Sequence, residues 1–264
     1  MSIKRTTEEP AFVLHRYDWS ESSLVLEVFC RHLGRIAIVA KGVKRPTSQF
    51  RPVLLPLQPL HLSFSGDAEV RTLKAAQWQG GHVMPTGEAL LSGCYLNELL
   101  MRLLARDDPH QRLFDHYAQA VELLAERADA QQLILRAFEL LLLKAVGVLP
   151  DLAAEGSTLA LLDPECAYVL APESGLRLAH DNGSGDGDPH ALSGEQWQLL
   201  QLALDGDAGL IGVLRACAPS LHALRPQLRS LLHYHSGVRV FRTRQLMLDV
   251  QAMTRPRSLP VSAP

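Results

Sequence analysis

The sequence predicts an α+β fold: an N-terminal OB-type β-barrel followed by a mostly helical domain with a small β-rich, zinc-free insert. Three observations carry this. Five short apolar segments separated by turns fill the first 80 residues. From Pro85 the apolar spacing changes to three and four residues, the period of a helix with one buried face. Between 151 and 189 short apolar pieces alternate with Pro, Gly and Asp, which interrupts the helical pattern.

The strand segments are Ala11–Leu14, Leu24–Phe29, Ile36–Val39 after the break at Gly34, the alternating Leu60–Phe64, and Val70–Leu73 beyond the turn Ser65-Gly66-Asp67. Five strands at this spacing fit a small closed barrel, although an SH3-like barrel or a half-sandwich gives nearly the same pattern. Phe12, Phe29 and Phe64 are the expected core rings, and His15 and His61 are expected to be half-buried. Leu90, Leu91, Cys94, Leu96, Leu99, Leu100, Leu103 and Leu104 then mark a first helix, stopped by Asp107-Asp108-Pro109. A second is expected over 111–128 and a third over 130–146, ended by Gly147 and Pro150. In the insert, Leu159–Leu162 and Ala167–Leu170 are the strand-like pieces, and 181–188 is a flexible loop by composition. Ser193 is an N-cap candidate, with Gln196 at the capping-box spacing. Further helices are expected around 207–217, 220–236 and 240–252. The resulting plan is a barrel over 1–80, a helical domain over 81–252 and a disordered tail over 253–264.

Composition narrows the function classes. A hydrophobic share of 47% with 20% charged residues is globular, and no apolar run approaches the ~18 residues of a membrane span. The first ten residues lack the apolar centre of a secretion signal. Four dispersed cysteines, without a C-x-x-C pair, fit free thiols in a reducing cytoplasm rather than a disulfide or zinc framework. No nucleophile motif, phosphate-cradling glycine loop or H-E-x-x-H is present, so neither a catalytic residue nor a cofactor is assigned. Asp186 and Asp188 lack the spacing of a calcium loop. His233 and His235, two residues apart on a helix, face different ways, so no metal is expected.

Charge is the most informative property. The net value of −2 conceals +4 over 1–80, −13 over 81–207 and +7 over 208–264. From Val28 to Gly66 there is no acid, yet Arg31, Arg35, Lys41, Lys44, Arg45 and Arg51 all occur there. A second run, between Asp207 and Asp249, holds Arg215, Arg225, Arg229, Arg239, Arg242 and Arg244. Cations without local counter-charges attract polyanions, because neutralising phosphates releases condensed counterions. Tyr17, Trp19 and Phe50 lie near strand ends beside these cations; surface stacking and turn packing are both open to Tyr17 and Trp19. On the third helix, Leu133, Ala137, Leu140, Leu141 and Lys144 recur at three- and four-residue spacing, with Arg136 beside them. Either this stripe packs into the core, or it forms an apolar pocket rimmed by cations and suited to an acidic, apolar-ended peptide.

Ala11-Phe12-Val13-Leu14, Trp19-Ser20-Glu21-Ser22-Ser23-Leu24, Gly34-Arg35, Ala40-Lys41-Gly42-Val43-Lys44-Arg45 and Leu57-Gln58-Pro59 follow one another in an order that resembles the RecO family of bacterial recombination mediators. Tyr95-Leu96-Asn97-Glu98-Leu99-Leu100 with Arg102, Arg136 through Phe138-Glu139-Leu140, and Arg242-Thr243-Arg244 extend the resemblance over most of 11–246. It implies single- and double-stranded DNA binding, strand annealing, and help in loading a RecA-type recombinase onto DNA coated by single-strand-binding protein. Implied partners are RecR and the acidic C-terminal tail of single-strand-binding protein; the implied setting is cytoplasmic and nucleoid-associated. By the same resemblance Arg35, Lys41, Lys44 and Arg45 contact DNA, Arg242 and Arg244 form a second DNA motif, and Arg136 with its apolar neighbours holds the tail. Some relatives bind zinc through four cysteines in the insert, where this chain has only Cys166. The competing readings are a protein adaptor without DNA affinity and a metal-dependent nuclease drawing on the acidic middle.

Overall fold

The computed structural model describes residues 5–66, 69–179 and 188–254. β1 (Arg5–Asp18), β2 (Leu24–Cys30), β3 (Gly34–Ala40), β4 (Leu60–Ser65) and β5 (Val70–Trp78) close into a barrel in the order β1-β2-β3-β5-β4. β3 and β5 run parallel from Ala37–Val70 to Val39–Thr72, and the other neighbours are antiparallel. That order is the OB arrangement and separates it from the SH3-like and half-sandwich alternatives.

Alternation decides what fills the barrel. Leu60, Leu62 and Phe64 point inward from β4, joining Val13, Leu26, Val28, Ile36, Ile38 and Leu73. Val43 and Leu54, from the long β3–β4 connection, complete this core. Phe12, Leu14 and Phe29 point the other way and belong to the helical domain's core. All three expected phenylalanines are thus buried, but only Phe64 fills the barrel. His15 is exposed rather than half-buried, because it lies beyond a bulge in β1 that turns the strand end to solvent.

The helical part comprises α1 (Gly87–Leu103), α2 (Gln111–Glu126), α3 (Gln131–Ala145), α4 (Gly194–Asp205), α5 (Gly209–Cys217), α6 (Leu221–Ser236) and α7 (Arg242–Thr254). α3 is its axis: every residue from Ile134 to Leu143 is buried, as befits a helix with apolar residues on all sides. Phe12 and Phe29 dock on Phe114 and Tyr117 of α2, with ring centroids 4.9–6.1 Å apart. Tyr117 donates to Asn97 Oδ1 (2.5 Å), and Asn97 Nδ2 donates to the Leu14 carbonyl (3.1 Å), so α2, α1 and β1 share one buried chain of bonds. Close approach also needs glycine: a Cβ on Gly93 of α1 would lie 2.5 Å from Leu57 Cδ1.

The insert differs from expectation at Leu159–Leu162. This piece contributes only a single bridge from Leu161 to Ala154, and Leu159 and Leu161 are exposed. Leu159 has φ +58°, a left-handed conformation that breaks a strand. β6 (Ala167–Ala171) instead pairs with β7 (Gly175–Leu178) and β8 (Leu192–Ser193). With only Cys166 where some relatives have four cysteines, the described part of the insert is held by contacts to the domain itself. Trp197 Nε1 of α4 donates to the Tyr168 carbonyl (3.2 Å), and Gln227 of α6 accepts from Leu170 N–H while donating to the His190 carbonyl. Ser193 caps α4 in a full capping box with Gln196. Most of the loop expected at 181–188, and residues 255–264 of the expected tail, lie outside the described residues; α7 continues to Thr254.

Candidate nucleic-acid interface

The basic run of the barrel divides into two kinds of cation. Arg31 Nε and Nη2 grip both oxygens of Asp115 on α2 (2.8 and 2.9 Å). The bond to Arg31 holds the Asp115 carboxyl below its usual range. Arg35 sits 3.4 Å from the buried Glu27, which also accepts from Arg106, in the link between α1 and α2. Both arginines therefore serve the joint between barrel and helices, and neither is a free cation as the run of sequence suggested. Asp115 and Arg106 lie too far along the chain for local inspection to reveal them.

The remaining cations gather at the open end of the barrel. Lys41, Arg45 and Arg51 are exposed on the β3–β4 connection and form no ion pair among the described residues. The turn at Lys41 needs Gly42 (φ +71°), and a Cβ there would meet the Arg45 side chain at 3.7 Å. Arg16, which sequence reasoning passed over, lines the same hollow as Lys44 and Arg51, over Leu24, Val43 and Leu54. Its signal was its place at a strand end near the acid-free run. Lys44 is half engaged: its Nζ lies 2.5 Å from Asp18 Oδ1 and donates to the Ser20 carbonyl (2.9 Å).

The second basic region lies on α6 and α7. Glu98 of α1 accepts from the backbone N–H groups of Arg242 and Thr243 (both 2.9 Å) and from the Thr243 hydroxyl (2.6 Å), anchoring the start of α7. Arg242 is exposed and Arg244 half-buried. Burial lowers the Arg244 pKa, and the charges of Arg229 and Arg225 add to the effect. Arg225 and Arg229, legible in the sequence as part of the second acid-free run, stand four residues apart on α6. Among the described residues none of these four guanidiniums has a carboxylate in ion-pair contact, and the charges of Arg225 and Arg229 reach Arg244. Asn97 and Glu98, adjacent on α1, thus reach β1 and α7 respectively.

The residues expected to form a peptide pocket do not come together. Ala137 and Leu140 are fully buried in the core, Leu133 is partly buried, and Arg136 is 6% exposed. Arg136 Nη2 donates to Glu139 Oε1 (2.5 Å), which also accepts from Tyr95 (2.8 Å). Because α3 is apolar all round, a three–four stripe on it does not single out a surface. Lys144 does rim an apolar hollow, with Leu141 and Ala145 from α3, Leu113 and His116 from α2, and Ala203 and Leu204 from α4. Arg112 stands on the rim. Gly209 (φ +57°) leaves room beside His116, where a Cβ would come within 3.2 Å of Nε2. Burial first, and Arg112 second, lower the His116 pKa. In the free protein, the Lys144 ammonium contacts Asp205 (2.6 Å) and the Arg112 guanidinium contacts Asp207 (3.7 Å).

Among the described residues no group of three or more His, Cys, Asp or Glu side chains is placed to hold a metal ion. None of their helices is long and apolar enough to cross a membrane. The cysteines are free, and burial pushes the Cys217 thiol up to about 12.

A closed OB barrel followed by a helical domain, with basic clusters on each, defines the class: an OB-fold protein with an appended α-helical domain. Residues 1–81 match the family described as Recombination protein O N terminal, and 84–244 match Recombination protein O C terminal. A protein of Polaromonas sp. (strain JS666 / ATCC BAA-500) named DNA repair protein RecO is 62% identical over 254 residues, covering 96% of this chain and all of the relative. Proteins of the same name from Polaromonas naphthalenivorans and Albidiferax ferrireducens are 61% and 60% identical at the same coverage. The chain belongs to the RecO family of DNA repair and recombination proteins.

Proposed function

We propose that this protein is a non-catalytic recombination mediator that binds single- and double-stranded DNA, anneals complementary strands, and helps a RecA-type recombinase onto DNA coated by single-strand-binding protein. The observation that carries the DNA-binding reading is the set of exposed cations Lys41, Arg45 and Arg51, joined by Arg16, at one end of the OB barrel, with no ion-pairing acid among the described residues. Lys44 supports this face by holding the adjoining turn. Arg242 and Arg244, with Arg225 and Arg229, supply a second phosphate-binding surface. Annealing then needs no bond chemistry: neutralising two strands lowers their repulsion, and holding both raises their local concentration. RecR is the expected protein partner in this work.

Charge reversal at Lys41, Arg45 and Arg51 tests the barrel face. Each phosphate released from a single strand changes the slope of log K against log salt by about 0.7, so the triple variant should flatten the slope by about 2. Fluorescence anisotropy of a labelled oligonucleotide across a salt series reads this directly; an unchanged slope removes the barrel face.

The hollow beside Lys144 is the better seat for the acidic, apolar-ended tail of single-strand-binding protein. Leu113, Leu141 and Leu204 offer the apolar floor, and tail carboxylates would exchange with Asp205 and Asp207 for Lys144 and Arg112. Lys144→Glu should weaken binding of a tail peptide about tenfold or more, as loss of one charge-assisted hydrogen bond implies. It should also abolish faster annealing on coated strands while leaving naked strands unaffected. Equal annealing of coated strands by variant and parent would exclude this hollow.

A further inference from the structure

Trp19 is 71% exposed, more than any other aromatic ring on the barrel. Exposed indole in water is unfavourable, and an aromatic face held beside unpaired cations suits a ligand that is both planar and anionic. The turn that carries it is tightly built. Trp19 N–H and Ser20 N–H donate to the Ser23 carbonyl (3.2 and 3.3 Å), and Ser23 N–H donates to Ser20 Oγ (3.2 Å). Lys44 secures the turn from outside: its backbone N–H donates to the Ser22 carbonyl (3.0 Å), and its ammonium binds the Ser20 carbonyl and Asp18. The same lysine lines the hollow with Arg16 and Arg51. One side chain therefore joins the platform to the cations. Tyr17, also exposed, makes a T-shaped contact with His15 at 4.5 Å between centroids. The acids of the turn are Asp18, neutralised by Lys44, and Glu21.

We propose that Trp19 is a base-stacking residue that gives the barrel face its preference for single-stranded DNA, with Lys44 as the positioning residue that holds its turn. The proposal rests on the DNA-binding reading above. An unpaired base offers a free π-face to the indole, whereas bases inside a duplex are already stacked on one another. Phosphates flanking the stacked base meet Arg16, Arg51, Lys41 and Arg45. Stacking is a short-range contact without counterion release, so it adds affinity without adding to the salt slope.

The full chain has three tryptophans, and Trp197 is fully buried, so a Trp78→Phe background leaves Trp19 as the one exposed indole. In that background, oligothymidylate should quench the fluorescence. Trp19→Ala should weaken oligothymidylate binding about 5- to 150-fold, the range expected for one stack. Its salt slope and its affinity for a blunt duplex should stay unchanged, and Trp19→Phe should recover much of the loss. Salt-sensitive binding by the parent with no quenching, and with equal affinity in Trp19→Ala, would overturn the stacking role and leave the DNA-binding reading standing. Equal losses on single strand and duplex would overturn the proposed strand preference. No binding of either nucleic acid by the parent at low salt would overturn both readings.

Discussion

Glu139→Ala is expected to cost about 3–5 kcal/mol of folding free energy, the usual penalty for stranding one member of a buried ion pair. Glu139 is 1% exposed and accepts from both Arg136 and Tyr95, two groups that find no other hydrogen-bond partner among the described residues. Its removal leaves a guanidinium and a phenol inside the axis of the helical domain, against α1 and the start of α7. Arg136→Ala should cost a similar amount by leaving the carboxylate alone. Replacing Arg136 and Glu139 together by Leu should recover most of the loss, because two desolvated charges are exchanged for apolar volume. Urea unfolding of the three variants measures this, and single variants within about 0.5 kcal/mol of the parent would show that the pair does not bear on stability.

The same pair makes a pH prediction. Burial holds the Glu139 carboxyl above its ordinary range even with Arg136 against it. Between the unfolded and folded pKa values the native state binds the extra proton, so this group's contribution to stability falls as pH rises through that window. The stability of the parent relative to Glu139→Gln should therefore grow as pH is lowered from neutrality toward the range of an ordinary carboxylate. A difference that shrinks instead would mean the ion pair outweighs desolvation.

Gly34→Ala is the second large effect, with an expected loss of roughly 3 kcal/mol or more from a left-handed backbone and a steric clash. Gly34 has φ +70°, and a Cβ there would lie 1.9 Å from the carbonyl oxygen of Asp108. That carbonyl cannot swing aside as a side chain would. It lies in the segment whose Asp107 N–H donates to the Arg35 carbonyl (2.9 Å) and whose Arg106 pairs with Glu27. Accommodating a methyl group therefore means parting the barrel from the helices. Denaturant unfolding should show a lower midpoint and a shallower transition as the two parts uncouple, whereas a midpoint equal to the parent's would place the junction elsewhere.

Gly34 illustrates how far local pattern reaches. It was visible as a break before a strand, and that reading is right, but the reason only glycine fits is a carbonyl more than seventy residues away. α3 is similar. Its helical period was plain, yet the spacing of Leu133, Ala137, Leu140 and Lys144 left core packing and a cation-rimmed pocket both open, and burial of Ala137 and Leu140 decides for the core. The run from Leu133 to Leu143 contains only Arg136 and Glu139 as polar residues, and that was the available sign of a buried axis.

The sequence by itself determined the succession of elements, since strand and helix periods, the Ser193–Gln196 cap and the glycine and proline breaks act between residues close in the chain. It also determined the two basic runs and the lack of a four-cysteine set in the insert. Only the tertiary structure decided which cations are free. Arg31 meets Asp115 across 84 positions and Arg106 meets Glu27 across 79, while Lys41, Arg45 and Arg51 form no ion pair among the described residues. It likewise turned Phe12 and Phe29 out of the barrel and onto α2. Charge pairing and burial depend on distance in space, and once the chain has folded, proximity in space no longer follows separation in sequence.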